Sequence, residues 1–243
     1  MLSPLQRFYR FFRGDGVLTA SVILLAVYVF VLSPLGESRV TDRLVIDGLI
    51  AGVVIAGAQV AFDPSLRKRV FIALVIATVI ARVFDREWPF AWTSVLAAAV
   101  TAAAAFFLGT LYLTRALRDG RINGHRIMAA VGAFLLIGIV FAQAYRMLLQ
   151  FVPGAFAIGG SATEAMPGRL VPIYFSYITL TSLGYGDVVP VHPLARSLAT
   201  LEAITGQLFL AILVARLVAM EIEWRQEQRG LRASGPSRGD DKA

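Results

Sequence analysis

The sequence predicts an all-α integral membrane protein with six transmembrane helices, and three observations lead there. Of its 243 residues 57% are hydrophobic and only 16% are charged, with a mean hydropathy of +0.70, a balance that soluble domains do not reach. Long apolar stretches recur at roughly 17–32, 44–62, 70–84, 93–114, 127–151 and 194–220. Lys and Arg gather in alternate connections between those stretches, as they do where loops are sorted to two sides of a bilayer.

Before the first stretch, Leu5, Phe8 and Phe12 keep helical spacing among Arg7, Arg10 and Arg13. That pattern suits a helix lying in the cytoplasmic lipid surface over residues 1–16. It also imitates a secretory signal, but Val31 to Glu37 offers no small-residue cleavage pattern, so the first span is read as retained. The third stretch has about fifteen apolar residues where about 20 are needed to span, and must borrow flanking residues.

Arg7, Arg10 and Arg13, then Arg67, Lys68 and Arg69, then Arg115, Arg118, Arg121 and Arg126 fall on one side together with the tail. That side is cytoplasmic. The opposite loops hold Arg39, Arg43, Arg86 and Arg169, accompanied by Glu37, Asp42, Asp85 and Glu87. Both termini are therefore expected inside, in a multi-pass arrangement that suits a bacterial inner membrane. The chain divides into an interfacial helix (1–16), a peripheral four-helix domain (17–126), a C-terminal two-span module (127–220) and a polar tail (221–243). The tail is too short for a folded domain, and a fraying helical extension is expected.

Composition also excludes. Without cysteine there is neither a disulfide framework nor a thiolate metal site. The formal charge of +7 suits nucleic acid in principle, but the arginines sit at the ends of apolar spans, and no nucleic-acid partner is expected. His125 and His192 are placed in loops on opposite sides, so they share no metal. No Walker motif or catalytic triad is present, so the protein is read as neither an enzyme nor a pump, without a cofactor.

Three intramembrane features ask for an explanation. Asp47 and Arg82 fall near the outer ends of helices running in opposite directions, where they are expected to form a structural ion pair. Glu202 lies about two turns into the last span, where an ionised carboxylate is costly. It should be protonated, hydrogen-bonded or paired, with Ser176 or Thr181 as partner, or else make the protein sensitive to pH. Gly206 costs about 1 kcal/mol against alanine inside a helix, which calls for either a hinge or a close packing contact. Thr205 and Gln207 flank it and are available for polar contacts.

Residues 179–190, Thr-Leu-Thr-Ser-Leu-Gly-Tyr-Gly-Asp-Val-Val-Pro, lie between the last two spans and carry most of the information. Gly184 and Gly186 alternate with Tyr185, and glycine admits backbone dihedrals that a β-carbon penalises. Pro172 opens a run of about ten residues, ~15 Å of helix, which crosses half a membrane. The segment resembles the signature of the potassium-channel pore family, whose filters read T-x-G-Y-G-D.

The resemblance implies a re-entrant pore helix and a selectivity filter, assembled as a homotetramer because only one filter segment occurs and a ring takes four. It implies a passive K⁺ channel in a lipid bilayer. Ions would be held by the carbonyls of Ser182, Leu183, Gly184, Tyr185 and Gly186, with the Ser182 hydroxyl at the innermost site. Thr181, Asp187, Tyr174, Tyr177 and Glu202 would support the filter, one of the tyrosines donating to Asp187, and Gly206 would be the gating hinge. Members often have Thr and Val where this chain has Ser182 and Leu183, and serine lacks the methyl that stiffens χ1. A poorly selective Na⁺/K⁺ channel and a non-conducting membrane subunit are the alternatives. The acid that some members place beside the aspartate is matched by Ile178. The arginines of a voltage sensor are missing from residues 93–114, so voltage dependence is expected to be weak.

Overall fold

The structure, a computed structural model, describes residues 16–32, 66–88, 90–118, 124–159, 161–162 and 171–233. Residues 1–15 of the expected interfacial helix (1–16), the stretch 44–62 and Asp47 lie outside the described residues. Helix α1 runs Gly16–Val27 and continues as a π-helical turn, Tyr28–Leu32. Helices α2 (Leu66–Glu87), α3 (Ala91–Ala116) and α4 (Gly124–Phe151) follow. The ten-residue α5 (Val171–Leu180) precedes α6 (Pro193–Ala233). Among the described residues α3, α4 and Pro193–Gln226 of α6 are long and apolar enough to cross a membrane.

The third apolar stretch proves longer than its hydropathy implied. Helix α2 has 22 residues, because backbone hydrogen bonding is indifferent to polarity and Arg67, Lys68, Arg69, Arg86 and Glu87 continue the helix beyond the apolar run. Asp85, buried near its end, ties α2 to α3 by accepting from Ser94 Oγ at 2.5 Å, with Thr93 Oγ1 3.2 Å away. Arg82 Nε donates to Thr101 Oγ1 at 3.4 Å. His125 is a correction: it belongs to the first turn of α4, not to a loop, and its Nδ1 lies 3.1 Å from Thr19 Oγ1.

Small residues let the helices approach closely where no hydrophobic force drives them together in lipid. Ala97, Ala98 and Ala105 of α3 and Ala129, Ala130 and Ala133 of α4 are all buried. A β-carbon on Gly132 would lie 2.5 Å from the Tyr112 ring. The Tyr112 hydroxyl in turn meets Ser21 Oγ at 2.5 Å, bringing α1 into the same core. On the other face of α4, a β-carbon on Gly138 would lie 2.6 Å from the Tyr177 ring, so α5 lies directly against α4.

The strictly all-α expectation needs one correction. Strands β1 (Phe156–Ile158), β2 (Ser161–Ala162) and β3 (Val188–Pro190) form a small antiparallel sheet in the order β2-β1-β3. Ala157 pairs with Ala162 on one side and with Val189 on the other. Side-chain burial anchors the sheet. Phe156 is fully buried against the rings of Tyr145 and Phe175, at centroid separations of 5.6 and 5.1 Å.

Candidate functional site

Pro172 falls in the first turn of α5, where its missing N–H costs nothing. The helix stops at Leu180 because the chain there turns on its own carbonyls. Thr181 N donates to Tyr177 O at 3.1 Å and Ser182 N to Thr179 O at 2.9 Å. The carbonyl of Ile178 accepts twice, from Leu183 N at 2.8 Å and Gly184 N at 3.0 Å.

From that anchor the backbone alternates in hand. Ser182 has φ 57°, Gly184 φ 52° and Gly186 φ 81°, while Leu183 and Tyr185 between them keep negative φ. The sign of φ thus reverses at each residue from Ser182 to Gly186. Ser182 is, among the described residues, the one non-glycine with positive φ, a conformation that its residue type does not announce. Leu183 and Tyr185 are 55% and 68% exposed.

The far end of the segment is fastened on both sides. Tyr174 Oη donates to Asp187 Oδ2 at 2.7 Å, and Gly159 N donates to Asp187 O at 3.1 Å, which joins the segment to the sheet. Tyr177 points elsewhere: its hydroxyl donates to Leu135 O on α4 at 2.6 Å. Thr181 Oγ1 closes on its own helix, donating to Tyr177 O at 2.7 Å.

Glu202 is fully buried behind α5. Its Oε2 accepts from Tyr145 Oη at 2.6 Å, and its Oε1 shares a short hydrogen bond with Ser176 Oγ. Ser176 Oγ also lies 2.7 Å from Gly138 O. The Ser176 hydroxyl thus lies within hydrogen-bond reach of both the Gly138 carbonyl and the Glu202 carboxyl group. Through these contacts Glu202 ties α4, α5 and α6 together. Tyr145 had no motif to mark it; a polar aromatic within an apolar span was its sole sequence signal.

Gly206 lies one turn below. A β-carbon there would come within 2.0 Å of the Leu180 carbonyl oxygen and 3.1 Å of Leu180 Cδ1. Close approach of α6 to the end of α5 explains this glycine, and α6 passes through it as one helix. Next to it, Gln207 Nε2 donates to Ser182 Oγ at 2.9 Å. Thr205 Oγ1 bonds back to Leu201 O at 2.7 Å.

Comparison with known proteins follows the same part of the chain. A family model described as "Ion channel" matches residues 133–223. The inward rectifier potassium channel Kirbac3.1 of Paramagnetospirillum magnetotacticum is 34% identical over 94 residues, 38% of this chain and 28% of that protein. Protein LctB of Bacillus caldotenax is 34% identical over 122 residues, 47% of this chain and 89% of that protein. The calcium-gated potassium channel TvoK of Thermoplasma volcanium is 43% identical over 58 residues, 24% of this chain and 17% of that protein. The chain thus spans under a third of the first and last of these relatives and most of the second. No solved structure matches.

Proposed function

Since this chain belongs to the potassium-channel pore family, we propose that it is a passive K⁺-selective channel whose ions pass between the filter carbonyls of four identical copies. It is an integral membrane protein and not an enzyme. The observation that carries the selective reading is the alternation of hand through Ser182, Leu183, Gly184, Tyr185 and Gly186.

A K⁺ ion must shed its water, and neutral carbonyl oxygens replace that shell without binding so tightly that the ion stalls. Alternating dihedrals supply several such oxygens in file, and the Ser182 hydroxyl adds an innermost ligand. Helix α5 contributes electrostatically, because its carbonyl end carries about half a negative charge that favours a cation beneath the filter. Tyr174 through Asp187, and Glu202 through Ser176, hold the helix and filter in place.

Fourfold assembly is supported by the single filter segment, by the exposed Leu183 and Tyr185, and by the exposed apolar residues Leu201, Ile204 and Leu208 on α6. In this reading six spans cross a bacterial inner membrane, both termini are cytoplasmic, and K⁺ is the permeant ion with no other cofactor. The peripheral domain does not sense voltage: within α3 the one charged residue is Arg115, in its last turn. The test is K⁺ efflux from liposomes containing the purified protein. Efflux that is blocked by barium and lost in Gly184→Ala is expected; no efflux from wild type would make the protein a non-conducting subunit.

A further inference from the structure

Ser182 combines two features. It occupies a left-handed backbone position, which suits a β-branched residue poorly and a serine better. Serine, however, lacks the second γ-substituent that confines χ1, so its hydroxyl has three staggered wells open to it. A ligand free to move among them presents no fixed distance to an ion, and ions of different radius are then told apart less well.

Gln207 supplies what the missing methyl does not. Close contact of Gly206 with Leu180 O brings the following residue of α6 up to the filter's inner end. There Gln207 Nε2 donates to Ser182 Oγ at 2.9 Å, both residues being exposed. The donated N–H engages one lone pair of the hydroxyl oxygen and leaves the other to face an ion. Being neutral, the amide does this without adding a charge that would trap a cation.

We infer that Gln207 is a positioning residue for ion selection, its amide holding the Ser182 hydroxyl in one rotamer at the innermost filter site. The inference rests on the K⁺-selective reading above. Its test is the K⁺ to Na⁺ permeability ratio, from bi-ionic reversal potentials of the full-length protein in planar bilayers. Gln207→Met keeps the side chain's length and removes the donor. The ratio is expected to fall about fivefold or more, the worth of one ordinary hydrogen bond, while K⁺ current persists.

Ser182→Ala separates this role from a general structural one. If the amide acts through the hydroxyl, adding Gln207→Met to Ser182→Ala produces no further fall, because both changes break one bond. A wild-type ratio in Gln207→Met, or losses that add in the double variant, overturns the inference. A wild-type protein that conducts Na⁺ and K⁺ alike overturns the selective reading itself instead.

Discussion

Replacing Gly206 by alanine sets two explanations of the glycine against each other with opposite signs. If the residue merely lets α6 bend, alanine should strengthen the helix by about 1 kcal/mol. If α6 must lie against the end of α5, the new methyl collides with backbone. The structure puts that methyl 2.0 Å from Leu180 O, whereas carbon and carbonyl oxygen settle near 3.3 Å or beyond. The helices must therefore part by more than about 1 Å, and the atom in the way is no flexible side-chain end. Overpacking of this kind costs about 1–3 kcal/mol, which for a chain of this size lowers the unfolding midpoint by roughly 2–12 °C. Thermal unfolding of the detergent-purified protein, followed by tryptophan fluorescence beside K⁺ efflux, reads both outcomes. A lower midpoint with impaired efflux is expected. An equal or higher midpoint with normal efflux would refute the packing argument.

Other positions give shorter tests. Glu202→Gln should be nearly silent in the same melts, because a neutral amide of the same shape still offers hydrogen-bonding groups to Ser176 and Tyr145. Glu202→Ala strands both hydroxyls in a dry interior and should cost about 2–5 kcal/mol; if glutamine proves as harmful as alanine, the hydrogen-bonding account of Glu202 is wrong. Recordings across external pH should superimpose for wild type and Glu202→Gln, and a pH response confined to wild type would make Glu202 a sensor. Tyr174→Phe removes the bond to Asp187 and should hasten the decline of current during sustained recording, with a stability change below about 1.5 kcal/mol; an unchanged time course would leave that bond without a role at the filter mouth. Conductance should vary only weakly with voltage, and a steep curve abolished by Arg118→Gln would contradict the reading of α3.

The short helix α5 and the glycine conformations after it were legible in the sequence because their chemistry restricts residue type. Gly184 and Gly186 occupy positions that a β-carbon would strain, and Pro172 marks a helix start. The left-handed Ser182 was not legible, since serine is at home in either hand and only the alternation through its neighbours imposes one. Glu202 could be singled out as an acid in apolar surroundings, yet Tyr145, its partner from α4, is 57 positions away and carries no local mark. Gly206 reads equally as a hinge and as a contact in the sequence, and the nearness of Leu180 O, which supports the contact, is set by the fold and not by neighbouring residues. That the third stretch must borrow flanking residues was legible, but how far was not, because hydropathy, unlike backbone hydrogen bonding, falls off at Arg69 and Asp85. The small sheet escaped notice for a related reason: Phe156–Ile158 and Val188–Pro190 are too short for any alternation to show, and tertiary burial of Phe156 decides their conformation.

The central claim is that carbonyls held by alternating dihedrals choose K⁺. Bi-ionic reversal potentials of the reconstituted wild-type protein, K⁺ on one side and Na⁺ on the other, test it most directly. A strong displacement in the direction set by K⁺ permeation is predicted. A reversal near zero, with robust current in both directions, would contradict it.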